Sequence, residues 1–110
     1  MTNEAINKMD RKSIKKYIDN ARHHSRTNAS DNELMENRVK AIIHRSVAIS
    51  YPVGVVESYQ LLAMINMNKD DGEMAYNALK MSETFLSKYQ LPKEHYLELY
   101  NTMVIYYQDY

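Results

Sequence analysis

The stretch LLAMINMNKDDGEMAYNALKMSETF, residues 61–85, decides how this chain folds. Apolar residues recur in it at intervals of three and four, which is typical of helices with one buried face. An Asp-Asp-Gly segment interrupts that periodicity and marks a corner between two helices. Ala63, Ala75 and Ser82 have short side chains, which let two helix backbones approach closely. The stretch therefore predicts a helical hairpin.

The rest of the chain continues the same pattern. Only two Gly and two Pro occur in 110 residues, and no run alternates as a strand would. The sequence predicts an all-α protein of about five helices, arranged as antiparallel helical hairpins. Asp70 or Asp71 is expected to cap the fourth helix. The expected helices cover, in order, residues 3–26, 30–51, 52–68, 71–91 and 92–110.

Three signals set these helix boundaries. Ser30 and Glu33 have the spacing of a capping box, and Pro52 can open a helix as its first residue. Pro92 is expected to close the fourth helix and begin the fifth. The side chains expected to face inward are Ile6, Met9, Ile14, Tyr17, Ile18 and Ala21 in the first helix, Met74, Ala75, Ala78, Leu79, Phe85 and Leu86 in the fourth, and Tyr96, Leu97, Leu99, Tyr100, Met103, Val104 and Tyr107 in the fifth.

The length and composition predict one domain, residues 1–110, with a basic leading helix at 1–27 and a helical-hairpin core at 30–110. Cysteine is absent, which excludes disulfides and thiolate metal sites within the chain. No apolar run approaches the roughly 20 residues of a membrane span, and the first residues lack the apolar core of a signal peptide. We expect a cytoplasmic protein that does not enter a membrane.

The charges are unevenly distributed although the formal net charge is zero. Residues 1–50 contain ten Lys and Arg against six Asp and Glu, whereas residues 51–110 contain four against eight. Such asymmetry is typical of solvated faces, and it also suits a basic contact surface or head-to-tail self-association.

Residue spacing in the hairpin resembles that of the tetratricopeptide repeat, a helical hairpin that buries its faces by stacking on copies of itself. Small and apolar residues follow Ala63 at steps of twelve, four and three, and a second set recurs 37 residues later. Over about residues 38–107 the resemblance implies one whole repeat unit with a further helix on each side. A small helical bundle is the alternative architecture. The recurring residues are Glu57, Tyr59 and Leu62, followed by Glu94, Tyr96 and Leu99.

The resemblance implies a noncatalytic module that binds a protein or peptide and acts as a small regulator, adaptor or chaperone. Aromatic side chains provide large contact areas at low entropic cost, so the tyrosine-rich last helix is the expected partner-binding region. A second copy of the chain, forming a homodimer, is one such partner. The candidate residues are Tyr96, Tyr100, Tyr106 and Tyr107.

The first helix provides an alternative function. Its cations recur at spacings of three and four, and such a cluster could neutralise phosphates of a nucleic acid. The protein would then be a nucleic-acid-associated regulator. The candidate residues are Lys8, Arg11, Lys12, Lys15, Lys16 and Arg22.

No cofactor, metal or catalytic cluster is expected, because His23 and His24 are adjacent and two glycines cannot build a phosphate-binding loop. One segment, RVKAIIH, resembles the Arg and His signature of HEPN-type RNases, which cleave RNA without metal. The resemblance implies that Arg38 stabilises phosphate charge and His44 serves in acid-base chemistry. On a continuous helix these two residues lie on different faces, so a metal-independent RNase is a minor alternative.

Overall fold

The computed structural model describes residues 2–24 and 32–109, and within these ranges the chain forms six α-helices and no strand. This confirms the all-α prediction. The expected capping box involves Ser30, which lies outside the described residues. Arg26 and the rest of the connection before Asn32 also lie outside them. The helices are α1 Asn3–Ile6, α2 Arg11–His24, α3 Asn32–Ala48, α4 Pro52–Asn68, α5 Gly72–Tyr89 and α6 Lys93–Asp109.

α4 lies at the centre of the fold and contacts α2, α3, α5 and α6. Its sequence is apolar on nearly every side, and a helix of that kind is stable only when other helices surround it. Eleven of its 17 residues are buried, including Val56, Leu61 and Ile65. A second, smaller group of buried side chains joins α1 and α2 to α3.

α4 and α5 form the hairpin that residues 61–85 predict. Asp70 adopts a left-handed conformation with φ 58°, and the side chain of Asp71 accepts a hydrogen bond of 3.1 Å from the backbone N–H of Met74. Asp71 is therefore the cap. Ser82 is fully buried, and its hydroxyl donates to the Val56 carbonyl at 3.1 Å across the two helices. The side chain at this position has to be short, because the hydrogen bond from its hydroxyl to the Val56 carbonyl brings the α4 and α5 backbones close together.

Pro52 is the first residue of α4, as expected. In the same first turn of the helix, a Cβ added to Gly54 would lie 2.5 Å from the Tyr51 ring and 2.7 Å from the Ser46 hydroxyl. Glycine therefore allows α4 to begin close against α3. α5 and α6 form the next hairpin. α5 ends at Tyr89, and Gln90, with φ 51°, caps it two residues before Pro92.

The prediction of one helix over residues 3–26 was wrong, because the chain leaves helical structure at residues 7–10. The side chain of Asp10 accepts a 2.8 Å hydrogen bond from the Ser13 N–H and so starts a new helix, α2. Arg45 on α3 donates to the Met9 carbonyl at 2.8 Å, which fixes the break from outside. The short α1 thereby places Ile6 in the core.

The inward face was also overestimated in the last two helices. Met74 on α5 is exposed, and so are four α6 side chains expected in the core. The physical reason is that α6 is covered by α4 and α5 on one side only, so its apolar residues divide between two sides. The four exposed α6 side chains are Leu97, Tyr100, Val104 and Tyr107.

In the part of the chain that the structure describes, none of the helices combines the length and the apolar character that crossing a membrane would require.

Candidate functional site

Among the described residues, the three most exposed large apolar side chains lie on α6. Leu97, Tyr100, Val104 and Tyr107 are separated by three, four and three residues, so they form one stripe along the helix. They are 57%, 48%, 55% and 60% exposed, respectively. We call these four residues the α6 outward face.

α6 is held to the core by its opposite side. Leu99 is fully buried, and Tyr96, Met103 and Tyr106 pack partly buried against the same core. Because these residues pack α6 against the core, the position of the outward face is fixed by the fold.

The structure divides the four predicted partner-binding tyrosines into two pairs. Tyr96 and Tyr106 are half-buried against the core, whereas Tyr100 and Tyr107 belong to the outward face. The Tyr106 ring contacts residues on both sides of α6. Its centroid lies 5.1 Å from the centroid of the Tyr107 ring, which it meets edge-on, and 6.1 Å from the centroid of the Tyr76 ring on α5. Partner binding by these residues stays a prediction.

Exposed apolar residues on α3 are arranged differently. Leu34 and Val47 are 48% and 51% exposed, and they lie near opposite ends of the helix. Single exposed apolar side chains are normal on protein surfaces, whereas a continuous apolar stripe is typical of a contact surface. The α6 outward face is a stripe of the second kind.

A polar groove on the other side of α6 was missed by the sequence analysis. Arg22 of α2 reaches into it, and its Nη1 atom lies 3.2 Å from Glu57 of α4 and donates to Glu98 of α6. Arg22, one of the cations named for nucleic-acid contact, therefore joins three helices. The signal available in the sequence is the pair Glu57 and Gln60, which are polar and one turn apart in an otherwise apolar helix.

Burial raises the pKa of the Glu57 carboxyl, and the neighbouring Glu98 charge adds to that rise, while Arg22 opposes it. Glu57, Glu98 and His95 also bring one potential metal-ligand atom each within 4.8 Å of one another. The Arg22 guanidinium already contacts the Glu57 and Glu98 carboxylates and balances one of their two negative charges. A cation would have to displace Arg22, so the observed geometry is that of an ion-pair network linking α2, α4 and α6.

The basic residues of the nucleic-acid alternative do not form one row. Lys8 lies in the break before α2, where it pairs with Glu4 at 3.8 Å, and Lys15 pairs with Asp19 at 3.6 Å. Arg11 donates to the Ser50 carbonyl and lies over the Tyr51 ring. Lys12 and Lys16 are exposed on α2. Nucleic-acid binding by this set stays a prediction, with fewer cations on a common helix than the sequence suggested.

Arg38 and His44 lie on the uninterrupted α3, with Arg38 half-buried and His44 exposed. Six residues on a continuous helix place two side chains on different faces. The helix therefore lacks the break that the RNase alternative requires to bring this pair together.

No protein-family model matches the chain, and neither a curated protein nor a solved structure matches it significantly.

Proposed function

We propose that this protein is a small, noncatalytic interaction module of the cytoplasm, which binds a protein or peptide partner through the α6 outward face. The observation that carries the proposal is the continuous exposed stripe of Leu97, Tyr100, Val104 and Tyr107. Covering such a stripe removes apolar surface from water, and that is the main driving force of protein association.

The composition of the stripe supports a contact role. Protein interfaces are enriched in tyrosine and depleted of charge at their centre. Residues 99–108, LYNTMVIYYQ, contain no charged residue, although most of these α6 side chains are exposed. Tyr100 and Tyr107 can each cover a large area while losing little side-chain freedom, which suits them as binding anchors.

The repeat resemblance supports the same face. In a tetratricopeptide-like stack, each helix packs against the next, and a helix covered on one side has its free side available to a partner. α6 would be the first helix of a third unit in that arrangement. The proposed binding face is the same if the architecture is a simple bundle.

The proposal is tested by affinity capture from native lysate with the tagged full-length protein and two charge-insertion variants. Val104→Glu places a charge on the outward face, and Val47→Glu places the same charge at a site of similar exposure on α3. We expect the wild-type protein and Val47→Glu to retain the same protein partner and Val104→Glu to lose it. A partner retained equally by all three proteins would contradict the proposed face.

Treating half of each sample with nuclease separates the nucleic-acid alternative. A partner that survives nuclease supports the interaction module. A partner released by nuclease, and lost when Lys12, Lys15 and Lys16 are changed to Glu, would instead assign the function to α2.

A further inference from the structure

The four residues of the α6 outward face are uncharged, and the exposed charged residues Lys93 and Glu94 lie at the amino end of the helix. Along the middle of this stripe, an acidic peptide, a basic peptide or a nucleic acid would gain no electrostatic attraction, since charge complementarity is what selects such partners. A second copy of this face brings the same neutral surface, so two copies meet without repulsion between like charges.

The spacing of the stripe is self-complementary. Steps of three, four and three residues read the same in both directions, so two α6 helices can pair antiparallel with the stripes in register. Leu97 of one copy then lies opposite Tyr107 of the other, and Tyr100 lies opposite Val104. Every contact joins an aromatic to an aliphatic side chain, which lets large and small residues interdigitate.

A parallel pair would pack less well. It would place Tyr100 opposite Tyr100 and Val104 opposite Val104, which combines crowding at one level with a gap at the next. It would also align the two helix dipoles side by side, whereas the antiparallel pair sets the amino end of each helix, with Lys93, next to the negative carboxyl end of the other.

We propose that the partner of the α6 outward face is a second copy of this chain, bound as an antiparallel α6 pair about a two-fold axis that passes between Tyr100 and Val104. This inference rests on the proposed function, because it names the partner of the same face. A two-fold axis is the commonest symmetry of protein dimers and requires a self-complementary patch of this kind.

The size of the face predicts the strength of the pair. Side chains of these types carry roughly 150–250 Å² when aromatic, so the half-exposed stripe offers on the order of 400 Å² per copy. Two such faces bury about 800 Å² in total, which is at the lower limit for specific interfaces. The dimer is therefore weak and reversible, with dissociation in the micromolar range or above.

Sedimentation equilibrium of the full-length protein over a range of about 1 to 500 μM, which brackets such an affinity, tests the pair. We expect the mass to rise from one copy towards two, Val104→Glu to weaken association at least about tenfold, and Val47→Glu to behave as wild type. A wild-type protein that stays monomeric at the highest concentration, or a Val104→Glu protein that dimerises normally, overturns the inference. Circular dichroism melts establish that both variants are folded.

Disulfide trapping tests the register, and the absence of native cysteine makes it unambiguous. In the antiparallel pair, a Tyr100→Cys copy lies opposite residue 104 of its partner, so mixing it with a Val104→Cys copy is expected to give a mixed disulfide dimer faster than either variant alone. Rapid self-crosslinking of Tyr100→Cys, without preference for the mixture, is the outcome of a parallel pair and overturns the antiparallel register.

Failure of this inference is distinguishable from failure of the proposed function. If the wild-type protein is monomeric but Val104→Glu still loses a captured protein partner, the face binds a different protein and only the self-pairing is wrong. If Val104→Glu changes neither association nor capture, both the self-pairing and the proposed face are wrong.

Discussion

α4 and α6 are both 17-residue helices, yet they occupy opposite environments. Eleven residues of α4 are buried among four neighbouring helices, whereas Leu99 is the one fully buried α6 residue among those whose side chains are described. Both helices carry apolar side chains on more than one side. A helix of that kind normally lies inside a protein, so the open side of α6 is the feature that calls for a covering partner.

The comparison predicts that the same substitution has very different effects in the two helices. Leu61→Ala in α4 removes a fully buried side chain and should lower the free energy of unfolding by roughly 2–5 kcal/mol. Leu97→Ala in α6 removes an exposed one and should change the free energy of unfolding by less than about 0.5 kcal/mol in the monomer. Urea denaturation of dilute protein measures both. Similar losses of unfolding free energy in the two variants would contradict the assignment of Leu61 to the core and Leu97 to an exposed surface.

The next largest effect on the free energy of unfolding is expected for Arg22, in the groove between α4 and α6. Arg22→Met leaves the buried Glu57 carboxylate without its cation and should cost about 2–3 kcal/mol of unfolding free energy at neutral pH. Because the folded protein raises the pKa of Glu57, that carboxyl favours folding when protonated and opposes folding as pH rises through its folded pKa. The loss should therefore be smaller at about pH 4, near the ordinary pKa of Glu, than at neutral pH.

Glu57→Gln serves as the control for this experiment. In the double variant with Arg22→Met no buried charge remains at that position, so most of the lost stability should return. If the double variant is no more stable than Arg22→Met alone, the cost does not come from the uncompensated Glu57 charge.

A smaller effect of opposite pH dependence is expected at the carboxyl end of α4. Lys69, the residue that caps this end, donates to the Glu36 carboxylate of α3 at 2.6 Å, and this bond lowers the Glu36 pKa. A lowered pKa stabilises the fold above the ordinary Glu value, and the contribution disappears as pH falls through the folded pKa. Glu36→Gln should cost about 1 kcal/mol at pH 7, and this cost should decrease as pH falls through the folded pKa of Glu36, where the carboxyl becomes neutral like the Gln side chain.

The matched control is Glu83→Gln on α5. Glu83 pairs with Lys80 at 3.3 Å on the surface, and pairs of that kind contribute less than about 1 kcal/mol, often nothing measurable. Denaturation of both variants at pH 7 and pH 3 checks the prediction. Equal effects in the two variants would mean that the Glu36 contact is no more than a surface ion pair.

The parts of the fold that sequence reasoning predicted are those with local signals. Pro52 and Asp71 mark the starts of α4 and α5 through restricted backbone geometry and capping, respectively, so their roles could be assigned from a few neighbouring residues. The break at residues 7–10 was missed although Asp10 is also a cap, because apolar periodicity continues across it from Ile6 to Ile14.

The site was less predictable because its features depend on distant parts of the chain. Arg22 and Glu98 are 76 positions apart, and nothing local indicates that they meet. In α6 the periodicity identified apolar residues correctly but could not show which side the neighbouring helices cover. Leu97 and Leu99 are of the same type and only two residues apart, yet one is exposed and the other fully buried.

The central claim, that the α6 outward face contacts a protein in the cell, is tested most directly by site-specific photo-crosslinking. A photoreactive phenylalanine analogue replaces Tyr100 on the outward face, and the same analogue replaces Val47 on α3 as the control. We expect a discrete crosslinked species from position 100, at twice the mass of the chain if the partner is a second copy, and none from position 47. No crosslink from position 100, or the same products from both positions, would contradict it.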